Sequence, residues 1–222
     1  MSSPQSERLR RSLRRRARCE GSGSLSDPEL LALLLAPSHP RADVLRIACA
    51  VLQEAGGLGG ALMDPTAAGR AAGPAAAAHL AIVREVSVRI ARTAVSARPV
   101  ISSSPALRAY VMTDLGAAPR EEFRVLFLDK KNRLIRDERL GEGTVDHAPV
   151  YPREVVRRAL ELAASALILL HNHPSGDPTP SSADVEMTRQ IVAAARALNL
   201  VVHDHLVVGR EGVASLKALG LM

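Results

Sequence analysis

The chain has 222 residues, 47% of them apolar, with 2% aromatic and no Trp. An aliphatic core in one large or two small domains is within reach, but the stacking platforms of a single-strand nucleic-acid binder are nearly absent. Of the net charge of +6, most sits at the N-terminus, where Arg8, Arg10, Arg11, Arg14, Arg15, Arg16 and Arg18 face only Glu7 and Glu20. The basic character therefore belongs to an N-terminal segment, 1–24, and not to a face spread over the fold. Cys19 and Cys49 are too few for a disulfide framework or a Cys-type zinc site. No secretory signal is visible, and the longest apolar stretches, Leu30–Ala36 and Ser165–Leu170, are too short to span a bilayer. A soluble cytoplasmic protein with no membrane partner is expected.

Residues 25–98 read as a small all-α domain. Ser26-Asp27-Pro28-Glu29 has the form of a capping box ahead of the apolar run Leu30–Leu35. A second helix is predicted over about 42–55, with Val44, Leu45, Ile47, Ala48, Val51 and Leu52 at three-to-four spacing, stopped by Gly56-Gly57. Pro74 opens a third long pattern through about 97, with Val83, Val86, Ile90 and Ala94 on one face. The glycine clusters at 56–60 and 141–143 lack the Lys-Ser/Thr of a phosphate loop and read as turns.

Residues 100–222 read as an α/β domain. Ser104-Pro105 starts a helix to about Leu115. From Glu121 the period changes to two: Phe123, Val125 and Phe127 alternate with Arg124, Leu126 and Leu128, a strand. After a turn at Lys130-Lys131-Asn132, Leu134–Leu140 returns. A helix follows at about 153–164, with Val155, Val156, Ala159, Leu160 and Ala163 inward. Then come a strand at 166–170, a helix at 182–198, a strand at 200–208 and a short strand at 213–215. The result is a mixed sheet flanked by helices.

The chemistry concentrates between His171 and Asp184. His171 and His173, one residue apart at a strand end, point the same way. Ser181 can cap the next helix with Asp184 at its N3 position, and Pro174, Pro178 and Pro180 stiffen the loop between. Two imidazoles and a carboxylate suit a zinc ion whose fourth position is left to water. Such a site also needs a base outside this segment; Asp177, amid Pro and Gly, reads as a turn residue. His203-Asp204-His205 repeats the spacing inside an alternating strand and reads as structural. His147 reads as an exposed loop residue, and the arginines of 8–18 as a solvated helix face, with phosphate binding the alternative.

The pattern His171-x-His173, seven residues, then Ser181-x-x-Asp184 resembles the JAMM (MPN+) metalloprotease motif. Its surroundings, Leu169-Leu170-His171-Asn172-His173-Pro174-Ser175-Gly176-Asp177-Pro178, resemble the RadC family of bacterial JAMM-domain proteins. The likeness extends over Arg120–Phe123, Leu126–Asp129, Tyr151–Glu154 and Asp204–Gly209, roughly residues 104 to 216. It implies a cytidine-deaminase-like JAMM/MPN fold in which His171, His173 and Asp184 hold Zn2+. It further implies that Glu121 takes a proton from the water and that Ser181 donates to the oxyanion. Strand alternation independently puts Glu121 on the face of Phe123 and Val125. The implied activity is hydrolysis of peptide or isopeptide bonds in a peptide or protein substrate. The alternative is a DNA-repair or recombination accessory protein that binds metal with little catalysis. Family chains also carry a helix-hairpin-helix, to which Gly69–Ala77 corresponds. Here Ala71-Ala72-Gly73 replaces Gly-hydrophobic-Gly, and Ala76 stands where a basic residue is usual. This degenerate hairpin weakens any claim to a nucleic-acid partner.

Overall fold

The computed structural model describes residues 4–40, 42–96, 99–100, 103–116, 118–143 and 150–222. The chain divides into two compact units between Val86 and Ser87.

In the first unit, α1 (Pro4–Cys19) shows what the arginine-rich start does. Leu13 is buried, and the Arg10 guanidinium donates to the carbonyls of His39, Pro40 and Ala42 at 2.6, 2.7 and 2.7 Å. Arg16 pairs with Glu29, which closes the capping box of α2 (Asp27–Leu35) by accepting from Ser26 N at 2.9 Å. Arg8, Arg11, Arg14, Arg15 and Arg18 remain exposed.

Helix α3 (Val44–Ala55) ends at Gly56 and Gly57, whose φ values of 70° and 117° suit only glycine. Two short helices follow, α4 (Leu58–Met63) and α5 (Pro65–Ala72), in place of the expected turn. Gly59 and Gly60 lie in α4, and Gly60 is required where α4 abuts the end of α3: a Cβ there would lie 1.9 Å from the Ala55 carbonyl oxygen. The second glycine cluster also departs from expectation, since Gly141 is paired with Phe123 in a strand.

Helix α6 (Pro74–Ser96) corrects the predicted face. Val86 and Ile90 are 51% and 67% exposed, whereas Leu80, Val88 and Val95 are buried. The helix carries apolar residues on two stripes, and packing partners chose between them. Ala76 is fully buried, so the position where a hairpin would carry a cation packs inward.

In the second unit, α7 (Pro105–Leu115) precedes a five-stranded sheet of order β2-β1-β3-β4-β5. The strands are β1 (Glu122–Leu128), β2 (Leu134–Glu142), β3 (Ala166–Asn172), β4 (Val201–Gly209) and β5 (Gly212–Ser215). Only the β3–β4 pair is parallel, and α9 (Ser182–Arg196) makes its crossover. Both faces are covered. Leu126, Leu128, Ile168, Leu170, Leu206 and Val208 share a core with α7 and the end of α6. Phe123, Val125, Phe127, Leu167 and Leu169 share the other with α8 (Pro152–Glu161) and α9.

Helix α8 stops earlier than its pattern suggested. Leu160 and Ala163, expected inward, are exposed. Ala163 has a φ of 50° and breaks the periodicity, so Leu162 and Ala164 turn toward the core instead.

Candidate metal centre

Strand β3 runs two residues past its apolar stretch, which brings His171 into the ladder opposite Phe123. The His173 amide extends the pairing by donating to the Val208 carbonyl at 2.9 Å. His171 therefore lies on the α8/α9 face of the sheet, and alternation carries His173 to the same side. Their Nε2 atoms are 2.9 Å apart.

Asp184 arrives from the start of α9. Ser181 is the N-cap, and the pair forms a reciprocal capping box. Asp184 N donates to Ser181 Oγ at 3.2 Å, while Ser181 N and Oγ both donate to Asp184 Oδ2 at 2.7 Å. This holds Asp184 Oδ1 3.3 Å from His171 Nε2, and Oδ2 3.5 Å from His173 Nε2. The ligand atoms of the three residues lie within 4.8 Å of one another, a group that can hold a metal ion.

The loop between is built from backbone contacts. His173 Nδ1–H donates to the Asp177 carbonyl at 2.9 Å. Asp177 is a turn residue as expected, its Oδ1 accepting from Thr179 N and Oγ1 at 2.8 and 2.7 Å. Gly176, at φ 101°, turns the chain over Gly209. A Cβ on Gly209 would sit 2.0 Å from Gly176 O and 2.9 Å from Pro178 N, so glycine there is what lets the loop lie against the sheet.

The donor set fits a zinc ion. Because the Asp177 carbonyl can only accept, His173 carries a proton on Nδ1 and presents Nε2 to the site. With the neighbouring imidazole also turning Nε2 inward, two nitrogen lone pairs and a carboxylate converge, an arrangement that calls for a cation or a proton between them. Nitrogen ligands about 2.0–2.1 Å from a tetrahedral zinc stand roughly 3.3 Å from each other, close to the separations here. The electrostatics agree. The Asp184 hydrogen bond raises the His173 pKa above the ordinary imidazole value against the effect of burial, with help from the Asp177 carbonyl and the Glu121 charge. Burial opposes ionisation of Asp184, yet the two imidazoles and Ser181 hold its carboxyl well below the usual range.

Glu121 immediately precedes β1 and is half-buried. It stands two residues before Phe123, the partner of His171, and near enough to His173 for its charge to act on that imidazole. Its segment is held by a residue that the motif does not mark. Asn172, buried and directed to the opposite face, accepts from Glu122 N at 2.8 Å and donates to the Arg120 and Ala118 carbonyls at 3.0 and 3.3 Å. A polar residue between two histidines was the available signal.

The second His-x-His pair divides. His203 bonds to the Asn132 side chain at 2.8 Å, a structural role. His205 is buried, and its Nε2 lies 2.8 Å from His171 Nδ1. It is not a member of the ligand group, but it stands directly behind one. Only the parallel β3–β4 register, invisible in the sequence, creates that contact. His147 lies outside the described residues.

A mixed sheet flanked by helices, with a His-x-His pair at one strand end and a Ser-capped Asp at the next helix start, defines a JAB-type (MPN) domain. Residues 101–221 match the RadC-like JAB domain. The chain is also 52% identical over 213 residues to a "UPF0758 protein" of Rhodobacter capsulatus, covering 95% of this chain and 100% of that relative. The chain belongs to the RadC-like family.

Proposed function

We propose that this protein is a zinc-dependent hydrolase of peptide or isopeptide bonds. The observation that supports the reading most directly is the convergence of His171 Nε2, His173 Nε2 and the Asp184 carboxylate on one point, within reach of the Glu121 charge. His171, His173 and Asp184 would hold the metal. When bound, zinc supplies a Lewis acid that lowers the pKa of a water to about 7 and polarises a carbonyl. Glu121, close enough for its charge to raise the His173 pKa, accepts a proton and returns it to the leaving amine. Ser181, at the rim of the site, orients the Asp184 carboxylate and, on turning its hydroxyl proton away from Asp184 Oδ2, donates it in a hydrogen bond to the substrate oxygen. A purely structural zinc would have four protein ligands; three ligands with a carboxylate opposite match the catalytic pattern.

The test is zinc stoichiometry on the purified chain, with a panel of amide and isopeptide substrates and Glu121→Gln as control. One zinc per chain, with turnover abolished but metal retained in the variant, supports hydrolysis. Wild-type protein that binds no zinc overturns it.

A second reading, an accessory protein acting on nucleic acid, is favoured by the exposed arginines of α1. Its test is whether replacing Arg8, Arg11, Arg15 and Arg18 by Gln lowers DNA affinity and the steepness of its salt dependence. An unchanged salt slope ends it.

A further inference from the structure

Behind His171, on the Nδ1 edge of its ring opposite the Nε2 that faces the Asp184 carboxylate, three elements contribute to one hydrogen-bond chain. His171 Nδ1 on β3 lies 2.8 Å from His205 Nε2 on β4. His205 Nδ1 lies 2.6 Å from Thr188 Oγ1 on α9. Thr188 Oγ1 in turn donates to the Asp184 backbone carbonyl at 2.6 Å. The chain thus begins at one candidate ligand and ends at the backbone of another.

The direction of every bond follows from its last member. A carbonyl oxygen only accepts, so the single hydroxyl proton of Thr188 goes to Asp184. Thr188 Oγ1 must then accept, which puts a proton on His205 Nδ1. His205 is 1% exposed and is boxed by the edge of Phe123 at 5.6 Å and by the His171 ring at 4.8 Å. A second proton there would leave a cation in an apolar pocket beside other imidazoles, so its Nε2 carries the lone pair. His171 must donate from Nδ1, and its Nε2 lone pair faces the site.

We propose that His205 and Thr188 are positioning residues that lock His171 in the Nδ1–H tautomer and aim its Nε2 lone pair at a divalent metal. Because the relay ends at the Asp184 carbonyl, it also ties the first turn of α9 to β4, so both ligands are set by one network. Histidine ligands elsewhere depend on such partners, whose loss lowers metal affinity about 10–100-fold. The inference rests on the metal site proposed above, but the tautomer can be read without any metal.

The experiment uses the full chain in four variants: Thr188→Val, Thr188→Ser, His205→Leu and His205→Gln. Imidazole 15N shifts of the metal-free protein report the tautomer, and zinc affinity is read by competition with a chromophoric chelator. Wild type should show His171 and His205 each protonated on Nδ1. Thr188→Val and His205→Leu should weaken zinc binding by about 10–100-fold. Thr188→Ser restores the hydroxyl, and His205→Gln offers an amide oxygen to His171 and an amide N–H to Thr188, so both should recover most of the loss. A wild-type His171 protonated on Nε2 overturns the proposal. So does a folded Thr188→Val protein with unchanged affinity, or a Ser or Gln variant as weak as its apolar counterpart. Failure of wild type to bind zinc overturns the metal reading itself, and the 15N shifts still decide the tautomer.

Discussion

Ser181 Oγ donates to Asp184 Oδ2 over 2.7 Å, so the cap of α9 and the carboxylate that faces the two histidines are one hydrogen-bonded unit. The hydroxyl's one proton is engaged with Asp184, and a lone pair accepts from the Asp184 amide at 3.2 Å. Service to a substrate oxygen requires the hydroxyl to rotate away, which a metal drawing charge from the carboxylate would ease. Ser181→Ala should therefore have two separable effects. Stability falls by about 1 kcal/mol for the lost cap, measured by urea unfolding of the metal-free chain. Turnover falls further, in kcat more than KM, if the hydroxyl also serves the transition state; equal losses of stability and activity alone would reduce it to a cap.

Zinc affinity should rise with pH. The Asp184 hydrogen bond raises the His173 pKa, so the proton that occupies the metal's place is held to higher pH and must leave before Nε2 can bind a cation. For the metal-free fold the sign is opposite: the raised His173 contributes stability below the ordinary imidazole pKa, lost as pH rises through the raised value. Asp184, held well below the usual range, gives up no proton near neutrality. Calorimetric titration between about pH 6 and 8 should show tighter binding and fewer protons released as pH rises. A flat profile contradicts the protonated His173.

Gly209→Ala places a methyl 2.0 Å from Gly176 O. The proline loop must then lift off the sheet, taking with it the Asp177 carbonyl that orients His173. The expected cost is about 1–3 kcal/mol in stability, together with weaker zinc binding. Loss of stability with unchanged affinity would show that the loop does not orient His173.

Asn172→Leu should separate catalysis from metal binding. Its side chain supports residues 118–122 and not the ligands. Removal leaves a backbone donor and two carbonyls without their partner, at about 1–3 kcal/mol for each group left buried and unsatisfied. Zinc stoichiometry should stay as in wild type, while turnover falls toward that of Glu121→Gln. Retained activity would show that Glu121 is held by other contacts.

The element order of the second unit was largely legible because its periods are unambiguous. Phe123, Val125 and Phe127 alternate, and Ser181 with Asp184 announces a helix start. The grouping of His171, His173 and Asp184 as a candidate metal site was legible for the same reason: two histidines at strand spacing and an N3 carboxylate are local facts. Less legible were α4 and α5, where glycine and alanine carry too little pattern. The buried face of α6 was not legible because Val86 and Ile90 form one apolar stripe and Val88 and Val95 another, and only packing selects between them. Among the described residues, no helix is long and apolar enough to cross a membrane, in keeping with the shortness of the apolar runs.

His171, His173 and Asp184 could be grouped as a set from the sequence, because side-chain direction along a strand and at a helix cap follows from spacing alone. What stands around them was settled by tertiary contacts. The antiparallel β1–β3 pairing of Phe123 with His171 carries the preceding residue Glu121 near enough to His173 for its charge to act there, and the parallel β3–β4 register brings His205 behind His171. Register depends on contacts between segments far apart in the chain, which no local period encodes. Asn172 and His205 therefore acquire their roles only when the strands pair.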